Sequence, residues 1–332
     1  MVRRAHEPHR PRHGHRPVPV VPARRRGRAG RRLDRGDDVT DTQPLVRAGS
    51  TSHGAVELSV TPELAGWQHS GLVVVRLGAG DTYEHHLEHD EAMVVSLSGA
   101  ARVSVDEEDF DLVGRRDVFS GPSDVVYAGR GSTVSLASAE GGRFAIATAR
   151  CERRLPAAYL PASRVPVELR GAGQASRQVH NFGVPGVLDA DRMIACEVIT
   201  PGGNWSSYPP HKHDEERDGA ETQLEEIYYF EVADGPAGPG MAYQRVYGHE
   251  RSTTDVLAEV RTGDVVLIPD GWHGPSMAVP GYDLYFLNVM AGPGQVRAWL
   301  ICDDPAHAWV RDTWTHQPID PRLPLHEQER TS

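Results

Sequence analysis

One lysine, Lys212, stands among 332 residues, so an imine-forming mechanism could run through that side chain alone. Cysteine is nearly as scarce. Cys151, Cys196 and Cys302 lie far apart and form no C-x-x-C pair, which argues against a thiolate cage or a disulfide framework. They are read as reduced, buried thiols of a cytoplasmic protein. No apolar run approaches the ~18 residues of a membrane-crossing helix, so no membrane partner is expected. No G-x-G-x-x-G stretch marks a dinucleotide-binding turn. Basic charge is missing from most of the chain. Twelve of the 35 Lys/Arg residues but only four of the 46 acidic residues fall within 1–40, leaving 23 basic against 42 acidic side chains elsewhere. Such a body repels phosphate, so no nucleic-acid partner is expected.

What is present is turn chemistry. The 34 glycines and 25 prolines favour short strands over long helices. Residues 1–44 are dense in Arg, Pro and His, lack apolar periodicity, and are expected to form a disordered extension. Short β runs broken by Gly pairs follow over 45–152. A Pro/Ala-rich segment, 153–178, reads as a linker. A second β series over 179–316 parallels the first in outline, and 317–332 reads as a tail. Two copies of one antiparallel β-barrel unit account for this pattern, with one short helix near 303–311.

The stretch "SSYPPHKHDEE" carries His211 and His213. At i and i+2 of a strand, both imidazoles share one face while Lys212 points away. A charged segment, 214–223, separates them from "LEEIYYFEV", the returning strand. Parity lets only one of Glu225 and Glu226 face inward. Glu226 is preferred because Ile227 suits the opposite, packed face; Glu225 remains open. In "GDVVLIPDGWH" the Pro-Asp-Gly turn would bring His273 back over the barrel mouth. His211, His213, Glu226 and His273 would suit one divalent transition ion, zinc or manganese, with positions left open. The first repeat has His85, His86, His89 and Glu91. Nothing there corresponds to His273, so it is expected to be a degenerate copy without metal.

In this order, these motifs resemble those of the cupin superfamily. More narrowly, "SSYPPHKHD", "LEEIYYFEV", "YQRVYGHERS", "GDVVLIPDGWHGP", "GYDLYFLNVMAG" and "DPAHAWVRDTW" resemble the 5-deoxy-glucuronate isomerases of myo-inositol catabolism over about residues 46–315. The resemblance implies an all-β bicupin of two jelly-roll barrels. It also implies conversion of 5-deoxy-D-glucuronate to 5-dehydro-2-deoxy-D-gluconate, an aldose–ketose isomerisation through an enediolate that a Lewis-acidic ion would stabilise. A proton shuttle is then needed, with Tyr228, Glu225 and Tyr285 as candidates. The substrate is a sugar acid, and a guanidinium fork suits its carboxylate. Arg245 ranks first for that role and Arg177 second. His180 and His307 are expected to be structural. Long edge strands suggest pairing with copies of itself. Two other readings share the ligand set: another metal-dependent cupin (a dioxygenase or a different uronate isomerase), and a sugar-binding cupin without catalysis.

Overall fold

The computed structural model describes residues 44–326. Apart from Pro44, the extension expected over 1–44 lies outside the described residues, as do 327–332.

The first half is built on one long strand. Asp90–Val105, sixteen residues, serves two sheets. Its first part lies in a sheet ordered Ala158–Leu160, Val125–Ala128, Asp90–Val105, Gly142–Arg150, Ser70–Leu77, Val56–Val60. Its far end pairs with Glu108–Arg115 and Thr133–Ala137, and the latter pairs with Thr82–His86. The strand passes from one sheet to the other at Gly99, whose φ is +84°. A Cβ there would stand 2.5 Å from the Gly141 carbonyl oxygen, so only glycine fits the corner.

The second half repeats the design. Its larger sheet runs Leu45–Val46, Val265–Ile268, Glu225–Val232, Leu284–Ala291, Ile194–Thr200, Arg177–Gly183, Val167–Arg170. The facing sheet runs Asp255–Val260, Ala242–Tyr247, Trp272–Ala278, His211–Lys212, Cys302–Asp303, with Trp205–Ser206 also on Trp272–Ala278.

Three apolar cores hold this together. Val75, Val94, Val103 and Leu136 fill the first barrel. Tyr228, Phe230, Val246 and Phe286 fill the second. The third lies between the two large sheets, where Leu72, Val74 and Met93 meet Ile227, Tyr229 and Leu287. Glu225–Val232 therefore has two buried faces: Tyr228 and Phe230 enter the barrel, whereas Ile227 and Tyr229 face the other half.

Polar groups on that shared face lock the halves reciprocally. Glu225 accepts the backbone N–H groups of Gln68, His69 and Ser70 at 2.8, 2.8 and 3.2 Å. Glu91 accepts those of Asp191, Arg192 and Met193, each at 2.7 Å. Between them Arg115, from the first half, is paired with buried Glu197, which also takes the Tyr285 hydroxyl at 2.8 Å and lies 2.9 Å from His180 Nδ1.

Three segments differ from the sequence expectation. Leu45–Val46 pairs with Val265 and Val266 in the second half, although its position in the chain suggests the first. Within 153–178, Ala158–Leu160 and Val167–Arg170 each add an edge strand, one to each large sheet. The tail is docked as far as it is described: Asp320 holds Asn204 and Ser176, and the Leu325 N–H donates to Gln178 Oε1. Helix is confined to Pro62–Ala65, Val310–Thr313 and short 3₁₀ turns among the described residues.

Candidate metal centre

His211 begins the strand His211–Lys212 and lies directly across from His273 on Trp272–Ala278. Glu226, second in Glu225–Val232, points into the same barrel. The turn before His273 is secured at Gly271, where φ is +89° and the N–H donates to Asp214 Oδ2 at 2.8 Å. Ligand atoms of His213, Glu226 and His273 lie within 4.8 Å of one another, and all three residues are buried. His211 flanks this set, its ring centroid 4.5 Å from that of His273.

The imidazoles are oriented from behind. Nδ1 of His211, His213 and His273 lies 3.3, 3.2 and 3.3 Å from the carbonyl oxygens of Pro209, Leu224 and Gly271. A carbonyl can only accept, so each Nδ1 carries the hydrogen and a neutral ring keeps its Nε2 lone pair free. Nε2 of His213 and of His273 lie 3.2 and 3.1 Å from Glu226 Oε2. The His273 contact has no hydrogen-bonding geometry, which leaves that buried nitrogen unpartnered. Asn288 Nδ2 donates to the other Glu226 oxygen. Burial alone would raise the Glu226 pKa, but His273 and His213, when they also carry a proton on Nε2, outweigh it and hold the carboxyl at about 2. Burial and the two neighbouring imidazoles push His211 well below its ordinary value. A charged carboxylate among imidazole nitrogens oriented by carbonyls, one of them unsatisfied, is a donor set that fits a divalent ion.

The acidic insertion is organised around Lys212 and Glu221. The ammonium holds Asp214 Oδ1 at 2.6 Å and Glu221 Oε1 at 2.7 Å. Committed to two carboxylates, Lys212 is not placed to act as a nucleophile.

Of the three shuttle candidates, only Tyr228 faces the site. Its hydroxyl lies 2.8 Å from Ser207 Oγ and its ring centroid 6.1 Å from that of His273. Glu225 and Tyr285 are corrected: both lie on the face toward the other half, engaged in the locks described above. Arg245 is corrected too. Ala242, Gln244 and Val246 are the buried residues of its strand, so Arg245 points outward to Asp255 and to the Val256 carbonyl at 2.9 Å. Arg177 is buried on the same face as the barrel-lining Val179. Asn288 and Ser207 escape sequence reasoning. The Asn in "YFLNVM", a polar residue in an otherwise apolar strand, was the available signal for the first.

The first barrel lacks the acid. Ala92 pairs with Ala128 and Thr148, as Glu226 pairs with Ile268 and Met290. Ala92 thus holds the register position of the carboxylate, while Glu91 holds that of Glu225. His86 is exposed, beside Glu84.

Comparison with known proteins agrees with this architecture. A KduI/IolB family profile matches residues 44–310. The 5-deoxy-glucuronate isomerase of Geobacillus kaustophilus is 42% identical over 271 residues, covering 81% of this chain and 95% of that protein. The enzyme of the same name from Bacillus subtilis (strain 168) is 36% identical over 239 residues, 71% and 86% of the two chains. The crystal structure of an IolB-like protein from Salmonella typhimurium superposes with a TM-score of 0.74 at 34% identity, covering 80% of this chain and 98% of that one. Oxalate decarboxylase of Lactobacillus farciminis, at 15% identity and a TM-score of 0.56 over 80% and 90% of the chains, shares the cupin fold. The chain belongs to the KduI/IolB family.

Proposed function

We propose that the protein is an aldose–ketose isomerase of inositol catabolism, converting 5-deoxy-D-glucuronate to 5-dehydro-2-deoxy-D-gluconate. One divalent ion, zinc or manganese, would be held by His211, His213, Glu226 and His273. Family membership and the isomerase names of its relatives support the reaction class. The observation that carries the metal-dependent reading is the buried convergence of His213, Glu226 and His273, with each imidazole turned by a carbonyl behind it.

An ion bound there would supply Lewis acidity to the oxygens flanking the carbon that loses its proton. The chain supplies the rest. Tyr228 holds a proton at its hydroxyl: burial, then the Glu226 charge, raises its pKa well above the phenol value. Protonated, it can donate to an oxygen of the developing enediolate, with Ser207 Oγ in hydrogen-bond contact, and a separate base takes the proton from carbon. Phe286, stacked on Tyr228 at 4.8 Å between centroids, and Phe230 keep water from that face. Asn288 fixes the Glu226 carboxylate.

The test is metal analysis of the purified protein together with an isomerase assay on 5-deoxy-glucuronate. Stoichiometric zinc or manganese and turnover lost together in His273→Ala are expected. Turnover that survives complete removal of metal would refute the metal-dependent reading. Oxygen uptake by the iron-loaded protein, without isomerisation, would favour a dioxygenase.

A further inference from the structure

Arg177 is a buried guanidinium without a counter-ion. It is 5% exposed, and the hydrogen bond it makes is Nη1 to the Ala175 carbonyl at 3.0 Å. Its cationic neighbours are both neutralised: Arg170 by Glu168 at 2.7 Å, Arg311 by Asp303. Among the described residues, no carboxylate lies within ion-pairing distance of Arg177. A lone buried charge is costly, and it is retained where something completes it. Burial, then Arg170 and Arg311, push its pKa down to about 9.

A second unsatisfied donor stands beside it. Both guanidiniums stand over the Trp314 ring, the carbons of Arg177 and Arg311 at 5.5 and 5.2 Å from its centroid. Its indole N–H is buried without a partner. Trp314 also lines a cleft of about 290 Å³ walled by Ala175, Trp205, Tyr208, Val310 and Gln317. Tyr208 precedes none of the ligands directly, but its neighbour Ser207 touches Tyr228, which faces the candidate metal centre.

We propose that Arg177 and the Trp314 N–H form a carboxylate subsite for a sugar acid, with Trp205 and Tyr208 offering aromatic faces to its apolar C–H surface. The proposal rests on the reading that the metal centre acts on a sugar acid, and it goes further in assigning the acid end to Arg177 and Trp314. Two donors from different side chains recognise a carboxylate rather than a neutral hydroxymethyl group. The wall that carries Trp314 follows the second β series, so the C-terminal segment completes the site.

Calorimetric titration of the metal-loaded protein with D-glucuronate and with D-glucose tests this. The unsubstituted protein should bind glucuronate at least about tenfold more tightly, as expected for a charge-assisted hydrogen-bonded pair. Arg177→Gln should abolish that preference while metal content stays unchanged. Trp314→Phe should reduce it, and Arg177→Lys should restore part of it. Equal affinity for the two sugars in the unsubstituted protein overturns the proposal. So does an undiminished preference in folded Arg177→Gln, and Trp314→Phe decides should that variant not fold. The enzymatic reading fails separately. A protein that does not isomerise 5-deoxy-glucuronate, yet loses glucuronate preference in Arg177→Gln, sinks the isomerase and keeps the subsite. Turnover with unaltered KM in Arg177→Gln sinks the subsite alone.

Discussion

Glu225 and Glu226 are adjacent acids with opposite environments, and exchanging each for glutamine should separate them cleanly. Glu226 offers a charged oxygen to the space between His213 and His273. Glu226→Gln keeps the shape and removes the charge, so divalent-ion affinity should fall at least about tenfold, ~1.4 kcal/mol. Turnover should fall with it. Glu225 faces the other half and accepts three backbone N–H groups. In Glu225→Gln the amide oxygen can still accept, but the amide NH₂ then faces at least one donor. A charged acceptor lost to a donor clash should cost about 2 kcal/mol. At roughly 2–4 °C per kcal/mol for a chain of this size, melting should drop by about 4–8 °C. Metal content should stay stoichiometric. The assays are elemental analysis after gel filtration and calorimetric melting of the chelated protein. Full occupancy in Glu226→Gln combined with metal loss in Glu225→Gln would reverse the strand register and refute the reasoning.

Three further outcomes are expected. Tyr228→Phe should keep its metal and its fold but lose roughly 10²–10⁴ in kcat, the range of a positioned proton donor; unchanged kcat removes Tyr228 from the chemistry. Glu197 is buried; burial raises its pKa, but Arg115 and His180 outweigh this and lower it from 4.5 to about 2. A depressed carboxyl contributes stability that is present above 4.5 and is lost as pH falls toward 2. Glu197→Gln should therefore flatten the acid limb of a stability–pH curve, and an unaltered limb counts against the Arg115–Glu197 lock. Deleting 1–40 should leave melting and turnover unchanged. Extending the deletion through Val46 should lower melting, because Leu267 donates to the Pro44 carbonyl at 2.7 Å and Leu45–Val46 forms a sheet edge; equal melting of the two truncations would show that this edge contributes nothing.

Where the sequence was legible, a spacing rule had a single solution. Two histidines at i and i+2 after Pro-Pro, and a Pro-Asp-Gly turn before a third, leave few geometries, and the fold follows them. Glu226 lies beside His213 and His273, with Ile227 on the opposite, packed face. Pro156, Pro161 and Pro166 suggest irregular chain over 153–178, yet they only bound two short edge strands, Ala158–Leu160 and Val167–Arg170, which contain no proline. Arg245 is ranked by its place on a strand between the two motifs, which does not fix its phase; in "AYQRVY" the inward residues are Ala242, Gln244 and Val246.

The harder failure has one physical origin. Each large sheet is buried on both faces, by its own barrel and by the other half, and this erases the alternation that normally reports strand phase. Ile194–Thr200 and Leu284–Ala291 are buried at every position. In such strands the polar residues are the conspicuous ones, and a polar residue in a buried strand has two explanations. It can face the barrel interior, as Glu226 and Asn288 do, or it can satisfy donors across the interface, as Glu225 and Glu197 do. Local sequence does not distinguish them, because the partners that decide the matter are remote: the amides that Glu225 accepts lie 155 to 157 residues away. Arg177 belongs to neither class among the described residues, since it is buried with no carboxylate in ion-pairing distance. Its strand neighbour His180 is answered by Glu197, so the guanidinium left without a carboxylate is the group that points to a ligand.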